Sequence, residues 1–159
     1  MTGKFQCGGL MERGDLSLVE VLGFDWRPGK ACGILAKFSK SEIPLSYLSV
    51  SNGASGDKNM SFCVKTEAMA ENRGIIEEIK TEFEPDKIAV NSPVIILTLY
   101  GPHFLERHTL ATEVFSALCV AGISSHTVCS SINSISVVID VPDRDRTVEC
   151  LQERFEWPQ

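Results

Sequence analysis

The stretch Gly23–Ala31 combines the residue types that could bind a small zwitterion at the start of a helix. It follows an apolar run, Leu16–Leu22, that predicts a buried strand, and it opens a predicted helix from Pro28 to Lys40. Proline suits the first helical position, and the next backbone amides then point out of the helix start. Those amides favour a carboxylate, and Asp25 could accept an ammonium group. Together the two groups describe an amino acid, although most strand-to-helix turns bind nothing.

Other candidate groups favour structural roles. His103, His108 and His126 lack the spacing of a metal motif and a well-placed acidic partner. The hairpin Asn52–Asn59 contains two glycines but no Gly-Lys-Ser/Thr sequence, so it is not a phosphate loop. The cysteines form no CxxC pair and are predicted to be free thiols: Cys7, Cys32, Cys63, Cys119, Cys129 and Cys150. We therefore expect no catalytic residue, no metal site and no cofactor.

The composition is that of a soluble globular protein, with 43% hydrophobic and 23% charged residues in a chain of 159. A net charge of −6 argues against a nucleic-acid partner. No apolar run approaches the roughly 18–20 residues that cross a bilayer. The N-terminus lacks the apolar core of a signal peptide, so we expect a cytoplasmic protein with a flexible lead-in over residues 1–15.

A strand–helix–strand–strand–helix pattern occurs twice along the chain. The first copy is predicted at Leu16–Phe24, Pro28–Lys40, Ile43–Ser51, Met60–Thr66 and Ala68–Phe83. The second is predicted at Val94–Tyr100, Arg107–Ala121, Ile123–Ser131, Ile135–Val141 and Arg144–Phe155. The segment Lys87–Asn91 would close the first copy with a fourth strand. Only Trp157-Pro-Gln follows the last helix residues of the second copy, so its fourth strand is predicted to be missing or vestigial.

This order of elements predicts an α+β fold of two ferredoxin-like βαββαβ units, each an antiparallel sheet with helices on one face. The predicted domains are residues 16–92 and residues 93–159. Units of about 70 residues have thin cores, so we expect them to pack on each other and on a second chain.

Two such units in tandem resemble the ACT-domain regulatory region of aspartate kinases. The loop Asp25–Ala31 is similar to the family's Asp/Asn-x-x-Pro-Gly-x-Ala turn. The pairs Glu42–Ile43 and Gly122–Ile123 resemble its entry into the second strand, and Ser130–Ser136 resembles its serine-rich hairpin. The sequence departs from the family in the second loop, Gly101–Thr109, which lacks Pro-Gly and puts a second ligand site in doubt. No amino-acid kinase domain precedes the tandem, so we do not expect this chain to be an enzyme.

The resemblance implies a free amino acid bound between two units, by the loop after the first strand of one unit and the second strand of its neighbour. In this sequence the loop supplies Asp25, Gly29, Lys30 and Ala31. The facing strand supplies Leu45, Ser46, Ser51 and Asn52, or Ile123, Ser124, Ser131 and Asn133 if the opposing unit is the second one.

The function that follows is an amino-acid-binding regulatory protein, an allosteric sensor that is either free-standing or an aspartate-kinase-like regulatory fragment. We expect a homodimer whose sheets continue across the contact and hide their open edges, with a biosynthetic enzyme as a further partner. The alternative is a ligand-free dimerisation module. An acylphosphatase-type enzyme has only Arg27 as a candidate, and an RNA-binding fold is disfavoured by the acidic charge.

Overall fold

The computed structural model describes residues 3–27, 29–102, 104 and 109–158. The chain forms two compact units: the first unit is residues 15–93, and the second unit is residues 1–14 together with residues 94–159. The elements are β1 (Phe5–Gln6), β2 (Gly9–Phe24), α1 (Lys30–Lys40), β3 (Tyr47–Asn52), β4 (Lys58–Lys65), α2 (Thr66–Glu71), α3 (Gly74–Phe83), β5 (Lys87–Tyr100), α4 (Leu110–Ala121), β6 (Thr127–Ser130), β7 (Ser134–Asp140), a 3-10 turn (Val141–Asp143), α5 (Arg144–Arg154) and β8 (Phe155–Glu156).

The first unit has the strand order β3-β4-β2-β5, and its β2–β4 and β3–β4 pairs are antiparallel. Alternate strand residues such as Val19 and Phe62 face the helices, because successive side chains point to opposite faces of a sheet. The ring of Phe38 on α1 meets Phe62 edge to face, with centroids 4.7 Å apart. The helix-side core is completed by Val21, Phe24, Ile34, Ile43, Met60, Val64, Ile75, Ile79 and Phe83.

The opposite face of this sheet also carries buried residues. Leu16, Leu18 and Cys63 have no exposed surface, although they alternate with the helix-facing positions. Burial disfavours the thiolate and raises the pKa of Cys63 to about 12. The apolar character of both sets of strand positions predicts this two-sided burial.

The second unit has the strand order β2-β5-β7-β6, and its β5–β7 and β6–β7 pairs are antiparallel. Leu97 pairs with Val137 and faces α4 and α5. Its buried core includes Leu99, Val114, Leu118, Ile135, Ile139, Leu151 and Phe155. Each unit is therefore an antiparallel sheet covered by helices, which confirms the predicted fold class. The division into predicted domains at residues 16–92 and 93–159 stays a prediction.

The N-terminal segment differs from the expected flexible lead-in. Residues 9–14 extend β2 into the second unit, where β2 neighbours β5. Phe5 pairs with Phe155 in a short parallel ladder between β1 and β8, and the Gly8 amide donates to the Tyr100 carbonyl at 2.7 Å. The N-terminal segment thus supplies a fourth strand to the second unit.

The two copies of the repeat end their first helices in the same way. Glu42 and Gly122 adopt left-handed backbone angles, with φ of 56° and 64°. The following isoleucine amides donate back into the helix, Ile43 to Phe38 and Ile123 to Leu118, both at 2.9 Å. Because these two amides bond to the preceding helix, the strands begin later than predicted, at Tyr47 and Thr127.

The predicted helix Ala68–Phe83 is divided in the structure. The Asn72 side chain donates to the Ala68 carbonyl at 2.9 Å, α2 ends there, and α3 starts at Gly74. Within residues 3–27, 29–102, 104 and 109–158, no helix is long and apolar enough to span a membrane.

Candidate ligand site

The predicted loop leaves β2 after Phe24, whose buried side chain anchors it to the first unit. Gly29 directly precedes α1 with φ of 96°, a left-handed angle that favours glycine, and a methyl group at Gly29 would meet nothing within 4 Å. The backbone at the helix start is therefore open to approach. Pro28, predicted as the first helical residue, lies outside the described residues.

One backbone amide of the loop that was predicted to be free already donates a hydrogen bond within the loop. The Lys30 amide donates to the Arg27 carbonyl at 3.1 Å, so it does not point freely out of the helix start. The Gly33 amide donates to the Gly29 carbonyl at 2.7 Å and begins the helical pattern. The expectation of three free amides at Gly29, Lys30 and Ala31 is therefore wrong for Lys30.

The Asp25 carboxylate has a partner within the loop. Arg27 Nε donates to Asp25 Oδ2 at 2.5 Å, and this bond raises the pKa of Arg27. Both side chains are exposed, 48% for Asp25 and 76% for Arg27, so water screens the pair and it contributes little to stability. An incoming ammonium group would compete with Arg27 for Asp25.

Strand register brings Asn52 to the same end of the sheet as the loop. Lys58 on β4 pairs with Phe24 on one side and with Asn52 on the other. Its ammonium donates to Asn52 Oδ1 and lies 5.2 Å from the centroid of the exposed Trp26 ring, a cation–π distance. Lys58 was not among the predicted site residues, because only the register between strands reveals its position.

The other residues predicted on this strand lie near opposite ends of β3. Ser51 lies in the strand beside Asn52. Leu45 and Ser46 precede the strand, and the Ser46 amide donates to the carbonyl of Cys63, which pairs with Leu18. About five strand residues, or roughly 17 Å, separate them from the loop. A ligand held by the loop of this unit therefore does not reach Leu45 and Ser46 of the same unit.

The residues predicted on the strand of the second unit also lie in two places, after the end of α4 and in the β6–β7 hairpin. Ile123 is buried beside the end of α4, and Ser124 is exposed. Ser131 and Asn133 form the β6–β7 hairpin, where the hydroxyl of Ser131 lies 3.2 Å from Asn133 Oδ1. The Asn133 carbonyl accepts from the Gly101 amide at 2.9 Å, which joins this hairpin to the end of β5. Most of the altered loop that follows Gly101 lies outside the described residues.

One histidine has an acidic partner that the sequence did not predict. His126 Nε2 lies 2.8 Å from Asp140 Oδ1, because the β6–β7 pairing brings two residues distant in sequence together. His103 and His108 lie outside the described residues. Among the described residues, no group of three or more His, Cys, Asp and Glu is placed to hold a metal ion.

A concavity of about 460 Å³ lies on the helix side of the first unit, away from the predicted residues. Lys37 in its wall donates to Glu82 and, at 3.2 Å, to Glu78, and these bonds raise the pKa of Lys37. Its other lining residues are Lys40, Ser41, Asn72, Gly74 and Ile75.

The elements and their order define a class of fold, the tandem of two ferredoxin-like, ACT-like units. The regulatory subunit of aspartate kinase from Thermus flavus has this fold, with a TM-score of 0.84 and 16% identity over 93% of this chain and 97% of that one. Aspartokinase III of E. coli, solved in complex with lysine and aspartate in its T-state, matches at a TM-score of 0.70 and 14% identity over 98% of this chain and 35% of that one.

One curated relative is also similar in sequence. Aspartokinase 2 of Bacillus subtilis (strain 168) is 28% identical over 123 residues, which are 77% of this chain and 30% of that protein. The chain thus spans less than a third of the length of that relative. No protein-family model matches the sequence. The resemblance to the regulatory region of aspartate kinases is confirmed as a likeness of fold.

Proposed function

We propose that this chain is an amino-acid-responsive regulatory protein of the aspartate-kinase type, homodimeric and cytoplasmic, with a biosynthetic enzyme as its target. The observation that carries the proposal is the match to a regulatory subunit over nearly the full length of both chains, 93% and 97%. The matched segment contains both ACT-like units of this chain.

The proposed ligand site is the loop Asp25–Ala31 with the end of β3. Gly29 leaves the backbone open for a carboxylate, and Asp25 would exchange Arg27 for the ligand's ammonium. Because Leu45 and Ser46 lie about 17 Å from the loop of their own unit, we propose that they serve the loop of another unit. Ile123, Ser124, Ser131 and Asn133 are the corresponding proposal for the second unit.

A free amino acid is the ligand class that suits these groups. The E. coli neighbour was solved with lysine and aspartate, which makes lysine the first probe. Threonine, methionine and the branched-chain amino acids follow, because side-chain choice depends on the shape of the pocket. Binding would favour one packing of the units over another and pass that preference to the target enzyme.

A thermal-shift screen of the full chain against the twenty amino acids tests the proposal. A ligand at 100 times its dissociation constant adds about 2.7 kcal/mol, which corresponds to a rise of roughly 5–10 °C for a chain of this size. We expect a rise with one amino acid or one related group. Asp25→Ala should abolish it, whereas Glu71→Ala, which removes the same charge from an exposed position at the end of α2 in the same unit, should not.

A ligand-free dimerisation module is the second candidate. It is favoured by the two loop groups that already have partners, Asp25 with Arg27 and the Lys30 amide with the Arg27 carbonyl. A flat screen with all twenty amino acids would select this candidate over the sensor.

A further inference from the structure

The ammonium group of Lys58 links the two parts of the proposed ligand site. Lys58 lies on β4, where it pairs with Phe24 of β2 on one side and with Asn52 of β3 on the other. Its ammonium donates to Asn52 Oδ1 and lies 5.2 Å from the centroid of the Trp26 ring. One side chain therefore contacts both the end of β3 and the loop that precedes α1.

Both partners of this ammonium are neutral. The amide oxygen of Asn52 and the face of the Trp26 ring stabilise a positive charge without cancelling it. Among the residues that the structure describes, no carboxylate forms an ion pair with Lys58. The carboxylate of the preceding residue, Asp57, accepts the Ser55 amide at 3.0 Å. Lys58 therefore keeps a positive charge that no ion pair neutralises.

The ammonium also retains donors for a ligand and is held in position. A lysine ammonium has three N–H donors, and within the described part of the chain only Asn52 accepts a hydrogen bond from it. The Trp26 ring beside it lies 6.3 Å from the ring of the buried Phe24, which anchors the indole to the first unit. Because the charge is already positioned, a ligand that binds it orders little additional side chain.

We propose that Lys58 binds the carboxylate of the amino acid ligand, and this rests on the proposed function. The Lys30 amide, which was predicted to bind that carboxylate, donates instead to the Arg27 carbonyl. Trp26 precedes Gly29 by three residues, which span at most about 11 Å of chain, so the ammonium beside Trp26 and the open backbone at Gly29 lie in one small region. A positioned ammonium forms a charge-assisted hydrogen bond with a carboxylate, which is stronger than a bond from a neutral amide.

This assignment defines the chemical class that the site accepts. The ammonium of the amino acid binds Asp25, and its carboxylate binds Lys58. A carboxamide in place of the carboxylate keeps the size of the molecule and its ammonium, and removes only the negative charge. The site should therefore accept free amino acids and discriminate against their amides by at least about tenfold, the usual value of a hydrogen bond to a charged group.

Calorimetric titration of the full chain tests the role of Lys58. The probes are the twenty amino acids, followed by the amide of each one that binds, such as L-lysinamide for L-lysine. Lys58→Met should weaken binding of the amino acid at least about tenfold and change the dissociation constant of its amide less than about twofold, because the amide lacks the group that Lys58 binds. Lys58→Arg should retain most of the affinity, since a guanidinium also binds carboxylates and packs on aromatic rings. Lys40→Met, at an exposed lysine that ends α1, should change either constant less than about twofold.

A purely structural role of Lys58 would give a different pattern. If Lys58 only held Trp26 and Asn52 together, Lys58→Met would weaken binding of the amino acid and of its amide by equal factors, and that result would overturn the proposal. Unchanged binding of the amino acid in Lys58→Met, or equal affinity of the unaltered chain for the amino acid and its amide, would also overturn it while amino-acid binding itself stands. Absence of binding with all twenty amino acids would contradict both this assignment and the proposed function.

Discussion

Deletion of residues 1–8 should destabilise the second unit and leave the first unit unchanged. The deletion removes β1, the partner of β8, and two further backbone hydrogen bonds, from the Cys7 amide to Glu156 and from the Gly8 amide to Tyr100. It also exposes the surface covered by the buried Cys7 and by the half-buried Phe5, whose ring centroid lies 5.8 Å from that of Phe155.

The expected loss in the free energy of unfolding is at least about 4 kcal/mol, before the β1–β8 hydrogen bonds are counted. The two hydrogen bonds contribute about 1 kcal/mol each, and the apolar surface of Cys7 and Phe5 contributes about 2 kcal/mol more. With a urea dependence of about 1 kcal/mol per M for a unit of this size, the midpoint of unfolding should fall by several M. A small domain has little more stability than this to lose.

The chain carries one tryptophan in each unit, which allows the units to be followed separately. Trp157 packs partly buried against the core of the second unit, and Trp26 lies in the first unit beside Phe24. Urea unfolding should be followed by fluorescence in Trp26→Phe, which reports the second unit, and in Trp157→Phe, which reports the first.

The deletion should shift the unfolding transition reported by Trp157 and leave the one reported by Trp26 in place. Deletion of residues 1–4, which leaves β1 intact, is the control and should shift neither. Gly101→Ala should act in the same direction as the longer deletion, because its new methyl group would lie 2.9 Å from the Gly8 nitrogen, 3.3 Å from the Cys7 Cα and 2.9 Å from the Phe104 ring of the same unit. An unchanged Trp157 transition in the longer deletion would refute the role of the N-terminus in the second unit.

Three further predictions concern the first unit. Gly29→Ala should cost about 1–2 kcal/mol in denaturant unfolding because of its left-handed φ. Gly74→Ala, at a helical position with equal free space and no such φ, should instead stabilise by up to about 1 kcal/mol, and a loss there equal to that at Gly29 would contradict the assigned backbone strain. The buried Cys63 thiol should react with a thiol reagent only on unfolding, and rapid reaction at neutral pH would contradict its burial. The free energy of unfolding should fall as pH rises above about 9, because the unfolded thiol ionises there while burial keeps the native thiol protonated up to its pKa of about 12. Phe38→Ala should lower the free energy of unfolding by about 3–5 kcal/mol through the cavity left beside Phe62. Denaturant unfolding measures this loss, and a value below about 1 kcal/mol would contradict the packing of the two rings.

The hydrophobic pattern predicted the fold because each repeat has locally periodic strands and helices. The ends of α1 and α4 follow the same rule, with a left-handed residue and then a buried isoleucine. The break at Asn72 was missed because the apolar period continues across it, although an asparagine two residues before Gly74 is a signal for a helix end.

The strand formed by the N-terminal segment could not be predicted from the types of its own residues. Met11, Glu12 and Arg13 are exposed, and Gly8 and Gly9 suggest a loop. These residues form a strand because they pair with β5, so the strand depends on a tertiary contact and not on a local preference. The same limit applies to the candidate site, since the position of Lys58 beside Trp26 depends on the register between strands.

The most direct test of the proposed function is a two-dimensional NMR titration of the isotopically labelled full chain with the twenty amino acids, each at millimolar concentration. At least one amino acid should shift the amide signals of Gly29, Lys30 and Ala31, together with signals from the proposed facing strand. Shifts confined to other parts of the chain would contradict the proposed site. Spectra that remain unchanged with every amino acid would contradict the sensor itself.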